Sequence, residues 1–272
     1  MPVRSNVHTH TSYSDGADPP REMVEEALAR GFLSLGFSDH GWSPYDVCSM
    51  SREKEALYRS EIRALEREYA GRIEIALGYE HDATVPGAEL GCYDYVIESV
   101  HFLERGGEYR SVDESPEKLE GILREWYGGD AGRMCGDYFR SVCQALSRPD
   151  IHIAGHIDLI SKFTEAGALF DPLDAGYLRA AEEALEVAVS RDLLVEINTG
   201  AMSRGWRSQP YPSGALLKRC RALGGRIIVT SDCHRREWLD HGFDRAVRLA
   251  AACGFRERWT WLGGRFVPVP LE

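Results

Sequence analysis

Short apolar runs recur along the chain, separated by longer amphipathic stretches, and the two have different periods. An opening run around 7–11 is followed by runs at 33–38, 73–80, 93–100, 151–155, 193–198 and 226–231. Each reads as a strand, and the segments between them repeat their apolar positions at helical spacing. Helices are predicted over 19–31, 52–69, 116–126, 131–146, 173–190, 214–223 and 244–252. The first has Asp18 as its N-cap candidate, prolines at its entry and Gly31 as its stop. In the second, Leu57, Ile62, Leu65 and Tyr69 form the apolar stripe, and Gly128-Gly129 separates the third from the fourth. The chain closes on an apolar tail with Trp259, Trp261, Phe266 and Val267. No internal repeat, low-complexity tract or linker interrupts it, so residues 1–272 are expected to form one domain.

Strands alternating with helices imply a parallel sheet. All seven strand runs end in His, Asp, Glu or Asn. In a parallel barrel every strand C-terminus lies on one face, which carries the site, so residues scattered along the chain converge there. An open doubly wound sheet also gathers strand-end residues, from fewer strands. The barrel fits better.

Composition narrows the classes. The formal net charge of −11 argues against holding long nucleic acid on the general surface, because that binding rests on phosphate neutralisation by Lys and Arg. A small anion needs only local positive charge, which metal ions supply. The seven cysteines are scattered without Cys-x-x-Cys spacing and read as free thiols. No segment approaches the ~20 apolar residues of a membrane span, and Met1-Pro2-Val3-Arg4-Ser5 lacks a charged-then-apolar leader pattern. A soluble, cytoplasmic protein is expected.

The chemistry begins at His8-Thr9-His10. Side chains two apart on a strand share a face, so both imidazoles can reach one ion. Asp15 follows on a Ser-Asp-Gly turn that bends back over that face. His40, Glu80, His101, His156, Asp232 and His234 answer from later strand ends. Nine such groups are too many for one four- to six-coordinate ion and too costly to bury unpaired, which implies two or three ions. Nitrogen and oxygen donors without thiolate suit Zn, Mn or Fe. His152, His81 and His241 fall outside the strand-end pattern and read as structural, His81 adjoining Glu80 as a candidate outer contact.

His8-x-His10 with Ser14-Asp15-Gly16, then Ser38-Asp39-His40, Gly78-Tyr79-Glu80, Ser99-Val100-His101, Gly155-His156-Ile157-Asp158 and Ser231-Asp232-Cys233-His234 resemble, in order, the motifs of the polymerase and histidinol phosphatase (PHP) superfamily. Within it, the run from Gly155 to Ile160, Glu196-Ile197-Asn198-Thr199 and Pro210-Tyr211-Pro212-Ser213 look like the histidinol-phosphate phosphatase branch. The resemblance implies a distorted (β/α)7 TIM-like barrel and three divalent ions. By motif, His8, His10, Glu80 and Asp232 would hold the first ion, Glu80 with His101 and His156 the second, and Asp15, His40 and His234 the third.

The implied activity is a metal-dependent phosphomonoesterase acting on L-histidinol phosphate in histidine biosynthesis. Its nucleophile is a hydroxide bridging two ions, held through His8, His10, Glu80 and Asp232, since coordination lowers the pKa of water from about 15.7 towards about 7. The alternatives are another small phosphate or nucleotide as substrate, or a non-catalytic metal-binding module. For the substrate phosphate, the resemblance points to Arg204 on the loop after the sixth strand, with Arg207 and Lys162 nearby, because a guanidinium fork matches phosphate geometry. Asp158 and Glu196 are the remaining strand-end carboxylates available as proton donors. The sequence departs from the branch at one point. That branch often has arginine directly after the Ile-Asp-Leu-Ile run, where this chain has Ser161-Lys162.

Overall fold

Val7, Ala76, Tyr95, Ile97, Ile153, Leu194 and Ile228 lie far apart in the chain, yet they pack into one apolar cluster inside a curled sheet. The computed structural model describes residues 4–85, 88–167 and 169–271. Met1, Pro2 and Val3, on which part of the leader reading rests, lie outside them.

The first half runs β1 (Ser5–Asn6), α1 (Pro20–Ala29), β2 (Ser34–Phe37), α2 (Arg52–Glu68), β3 (Glu74–Asp82), β4 (Tyr95–Ser99), β5 (Phe102–Arg105), β6 (Glu108–Ser111), α3 (Pro116–Tyr127) and α4 (Ala131–Leu146). The second half runs β7 (Ile153–Ala154), α5 (Ala175–Ser190), β8 (Leu194–Asn198), α6 (Gly200–Ser203), α7 (Gly214–Ala222), β9 (Arg226–Thr230), α8 (Phe243–Ala252), β10 (Glu257–Trp261) and β11 (Phe266–Pro270). Side-chain caps start several helices where the sequence changes period: Ser51 accepts from Lys54 N, Ser115 from Lys118 N and Asp130 from Arg133 N. Asp18 does not cap α1, which begins behind Pro19; its carboxylate accepts from Arg236 N instead.

The strand order is β1-β2-β3-β4-β7-β8-β9-β10-β11, with every pairing parallel except β10 with β11. Six of the seven predicted strands form where expected, the opening one forms at Ser5–Asn6 ahead of the predicted 7–11, and the sheet curls into a distorted barrel. Three departures bear on the site. The apolar tail is a β-hairpin, β10–β11, that extends the sheet beside β9, and the carbonyl of Trp261 accepts from Ser34 Oγ at 2.6 Å across the barrel base. The connection after His101 holds a second hairpin, β5–β6. The opening strand pairs with β2 only at Ser5 and Asn6, so His8 and His10 lie on its extended continuation rather than within the ladder. There the chain turns to the other edge of the sheet, and Thr9 forms an isolated parallel bridge with Cys233 just beyond β9.

Beneath the rim, Tyr95 fills the barrel and donates its hydroxyl to Val7 O at 2.5 Å. Its ring lies against Gly78, where a Cβ would come within 2.1 Å of it. The outer face of the sheet is covered by the helices through a larger core in which Met23, Tyr58, Tyr138, Phe139 and Leu185 are buried.

Candidate metal centre and active-site cavity

The Thr9–Cys233 bridge explains how the two densest motifs come to face one point. His10 N donates to Cys233 O at 2.9 Å and Cys233 N to His8 O at 3.3 Å, so the residues flanking each bridge position turn to the same side. His8 and His10 have ring centroids 5.1 Å apart, and His10 stacks on His234 at 4.2 Å. Asp232 has φ 46°, a left-handed conformation that few non-glycine residues hold and that concentrates at functional sites. β2, β3, β4 and β7 deliver His40, Glu80, His101 and His156 to the same point.

Glu80 lies at the centre. Its Oε2 is 3.3 Å from His8 Nε2, 3.5 Å from His10 Nε2 and 3.0 Å from His40 Nδ1. Its Oε1 is 3.1 Å from His156 Nε2 and 3.6 Å from His101 Nε2. Asp232 Oδ1 is 3.2 Å from His10 Nε2 and 3.8 Å from His8 Nε2, while Asp15 Oδ2 is 3.1 Å from His234 Nε2. Many of these separations are long for hydrogen bonds, but ligands 2.0–2.1 Å from one tetrahedral ion stand about 3.3 Å apart. Four overlapping groups have ligand atoms mutually within 4.8 Å: His10, Asp15, His40 and His234; His8, Glu80 and His156; His8, His10 and Asp232; His40, Glu80 and His101. Together they contain all nine predicted residues. His8 Nε2, both His10 nitrogens and Glu80 Oε2 are buried without hydrogen-bond partners. Such groups are costly to desolvate unless something ligates them, so the donor set fits divalent cations.

A surrounding layer of carboxylates orients these ligands. Glu196 Oε1 accepts from His8 Nδ1 at 2.5 Å and Thr230 Oγ1 at 2.7 Å; its Oε2 accepts from His156 N at 2.7 Å and Asn198 Nδ2 at 3.1 Å. Holding the proton on His8 Nδ1 leaves the lone pair of Nε2 free to ligate an ion. Asp82 does the same for His101, with Oδ2 at 2.9 Å from Nδ1. Asp39 accepts from Thr11 N, Thr11 Oγ1, Ser14 N and Ser14 Oγ, which fixes the turn that presents Asp15. Sequence reasoning assigned no such role to Asp82 or Asp39, although Asp82 stands two residues after Glu80 and therefore on the same face of β3. Glu196, weighed there as a proton donor, carries four donated hydrogen bonds and sits below its usual pKa despite burial, chiefly because of His8. It is a positioning carboxylate. Asp158 is buried outside the cavity lining, with Oδ2 3.4 Å from Ser213 N.

Protons and cations compete here. Burial opposes charge on His8 and His40, but Glu196, Glu80 and Asp232 around the first, and Glu80 and Asp15 around the second, hold both pKa values well above normal. His101 is raised to about 9, with burial outweighed by Asp82 and Glu80. His10, desolvated and facing His234 and His40, falls to about 3. Glu80 and Asp232 stay ionised despite burial, through His40 and His8 for the first and Arg204 and His8 for the second.

Above the cluster opens a cavity of about 700 Å³ lined by Asp15, His40, Glu80, His101, Asp232 and His234 at its floor. Arg204 also lines it, with Nη2 3.1 Å from Asp232 Oδ2. Gly200 permits this approach, since a Cβ there would lie 2.6 Å from Asp232 Oδ2. Lys162 lines the cavity too, but Nζ donates to Asp113 O at 2.8 Å and Oδ2 at 3.0 Å. Arg207 is not brought to the cavity: it stacks on Tyr211 and donates Nη1 to Ser161 O and Oγ, drawn there by the carbonyl of a short turn. His81 points to the opposite face of β3, between Glu98 and Val85 O. His152 Nδ1 accepts from Val96 N, and the carbonyl of the exposed His241 accepts from Thr199 Oγ1.

The PHP domain family profile matches residues 6–200. A Deinococcus radiodurans protein described as a probable histidinol-phosphatase is 33% identical over 264 residues, 92% of this chain and 93% of that protein. The histidinol-phosphatase of Lactococcus lactis is 26% identical over 276 residues, 95% of this chain and 94% of that protein. A crystal structure of the L. lactis histidinol phosphate phosphatase complexed with Zn, L-histidinol and phosphate aligns with TM-score 0.74 at 24% identity, covering 97% of this chain and 98% of that one.

Proposed function

The chain belongs to the PHP domain family, and on that premise we propose that it is a metal-dependent phosphomonoesterase that hydrolyses L-histidinol phosphate to L-histidinol and inorganic phosphate. The observation that carries the reading is the set of nine convergent donors, several buried without partners, beneath a cavity reached by a guanidinium. In this reading the protein holds three ions, of Zn, Mn or Fe. His8, His10, Glu80 and Asp232 would hold one, Glu80 with His101 and His156 a second, and Asp15, His40 and His234 the third. Divalent ions there activate water at neutral pH and neutralise charge on phosphoryl oxygens.

The chain's own residues do the rest. Glu196 and Asp82 keep His8 and His101 in the tautomer whose Nε2 faces the centre. His234 Nδ1 lies 3.0 Å from Arg204 Nη1 and 3.1 Å from the carbonyl of Asp232, so Nε2 is the nitrogen that faces Asp15. Arg204 supplies a fixed positive fork over the floor, and with Lys162 committed to Asp113 it is the cation best placed for phosphate. A single domain is the reading that the packing of β10–β11 against the barrel base supports. No helix among the described residues is long and apolar enough to cross a membrane.

The test is phosphate release by the metal-loaded protein from L-histidinol phosphate beside nucleotides and sugar phosphates. A kcat/KM of about 10⁴ M⁻¹s⁻¹ or more on histidinol phosphate, well ahead of the panel, is the expected result. Weak release from every ester would discard this substrate and leave a general phosphoesterase.

A further inference from the structure

Two insertions build one wall of the cavity. The loop at 41–51 follows β2, the β5–β6 hairpin follows β4, and they meet where Tyr45 stacks on Tyr109 with centroids 3.9 Å apart and planes 22° apart. The strand order places this wall across the barrel from the loops after β8 and β9, which carry Arg204 and Arg235. The wall is acidic: Asp46, Asp113 and Glu114 line the cavity from it. The opposite side is cationic. A ligand that satisfies both bears a negative and a positive group a few bonds apart.

These carboxylates are not equivalent. Asp113 is occupied, with Lys162 Nζ on Oδ2 and Ser111 Oγ on Oδ1. Glu114 is largely exposed and lies 3.8 Å from Lys118. Asp46 makes no ion pair with Lys or Arg among the described residues; its Oδ1 accepts from Cys48 N at 2.8 Å, and the nearest cationic influence on it is the His40 imidazole on the cavity floor. The loop around it is internally fixed: Ser49 Oγ donates to Asp46 O at 2.7 Å, Ser43 N donates to Ser49 Oγ at 3.1 Å, and Arg52 lies over the Trp42 ring at 3.9 Å. A carboxylate held in place beside a substrate cavity and left without a Lys or Arg ion pair is preorganised for a cation.

We infer that Asp46 is the specificity-determining residue that reads the substrate's ammonium group. The inference rests on the histidinol phosphate reading. In that substrate the amine sits on the carbon next to the one bearing the phosphate ester, so phosphate at the metal floor and Arg204 leaves the ammonium free to face the loop after β2.

The experiment uses the full, metal-loaded chain with two esters: L-histidinol phosphate, and 3-(imidazol-4-yl)propyl phosphate, which lacks only the amine. The wild type should show a KM for the amine-free ester at least about tenfold higher, the scale of one charge-assisted hydrogen bond. Asp46→Asn should raise KM for histidinol phosphate by a similar factor, weaken product inhibition by L-histidinol, and leave kcat, metal content and the KM of the amine-free ester within about twofold. Asp46→Glu should recover part of the loss. Equal KM values for the two esters in the wild type, or an Asp46→Asn effect of the same size on both, would overturn the inference while leaving the phosphatase reading intact. A metal-replete wild type that hydrolyses neither ester would overturn both.

Discussion

Glu196→Gln replaces one oxygen by an amide, yet both of its positions face donors. On the Oε2 side stand His156 N and Asn198 Nδ2, at 2.7 and 3.1 Å, neither of which can turn into an acceptor without leaving its place. On the Oε1 side stand Thr230 Oγ1, which can rotate, and His8 Nδ1. The amide NH2 is therefore forced towards His8, where it can be accommodated only if Nδ1 gives up its proton and accepts. The proton then moves to Nε2, the atom that lies 3.3 Å from Glu80 and 3.8 Å from Asp232, and His8 presents N–H instead of a lone pair to the ion. Loss of an outer contact of this kind costs roughly 10–100-fold in metal affinity, about 1.4–2.8 kcal/mol. Chelator competition measures the affinity, and kcat should fall with occupancy. Glu98→Gln serves as the control, because Glu98 meets His81 on the outer face of the sheet. Metal affinity and turnover of Glu196→Gln at wild-type level would refute the tautomer argument.

Arg204→Ala should raise KM at least about tenfold and weaken inhibition by inorganic phosphate, while Asp232 keeps Asn198 Nδ2 on Oδ2 at 3.3 Å; loss of metal in this variant would sink the phosphate role. Metal binding to the apo chain near pH 7.5 should release protons, because His8 and His40 are raised and His101 titrates near 9, so affinity falls as pH falls. Calorimetry in buffers of different ionisation enthalpy reads this directly, and a buffer-independent heat would contradict it. Asp113 is held below its ordinary carboxylate range, burial being outweighed by Lys162 and His101. Its contribution is complete above the unfolded value of about 3.9 and is lost as pH falls through the folded one, so Asp113→Asn should cost about 1–3 kcal/mol near pH 7 and flatten the acid limb of the stability curve. Thermal melts from pH 7 down to 2 check both.

Much of this was legible because strand and helix periods differ and because ligands at strand ends repeat. What escaped were the two hairpins, and they share a signal. Gly106-Gly107 joins β5 to β6 and Gly263-Gly264 joins β10 to β11, all four glycines at positive φ. Such pairs are the residues a two-residue hairpin turn demands. With no strand assigned after the fourth run and the end of the chain read only as an apolar tail, one wall of the cavity and the packing at the barrel base stayed hidden. The orienting carboxylates escaped for another reason. Asp39 carries no local mark of its role, and at Asp82 the one mark, its place on the Glu80 face of β3, does not reveal a partner; only the barrel brings His101 to the one and the Thr11–Ser14 turn to the other. Lys162 and Arg207 each meet a protein acceptor, Asp113 or Ser161, that sequence spacing does not reveal.

The His-x-His and Asp-x-His motifs lie at opposite ends of the chain, and the reason they are paired is the seam they close. Thr9 and Cys233 bridge the first parallel strand to the last at the rim, whereas at the base β10 stands between those edges. Backbone hydrogen bonds at that bridge join the edges through few residues, so the side chains on either side of it must carry much of the closure. Those side chains are the proposed metal ligands. Clustering imidazoles and carboxylates without an ion leaves buried lone pairs unmet and His10 desolvated. With ions bound, the same groups become crosslinks between the first and last strands, and binding free energy becomes folding free energy. The site therefore stands where the barrel needs joining, and the spacing that makes the histidines good ligands, one residue on each side of a bridged position, is the spacing a parallel β-bridge imposes.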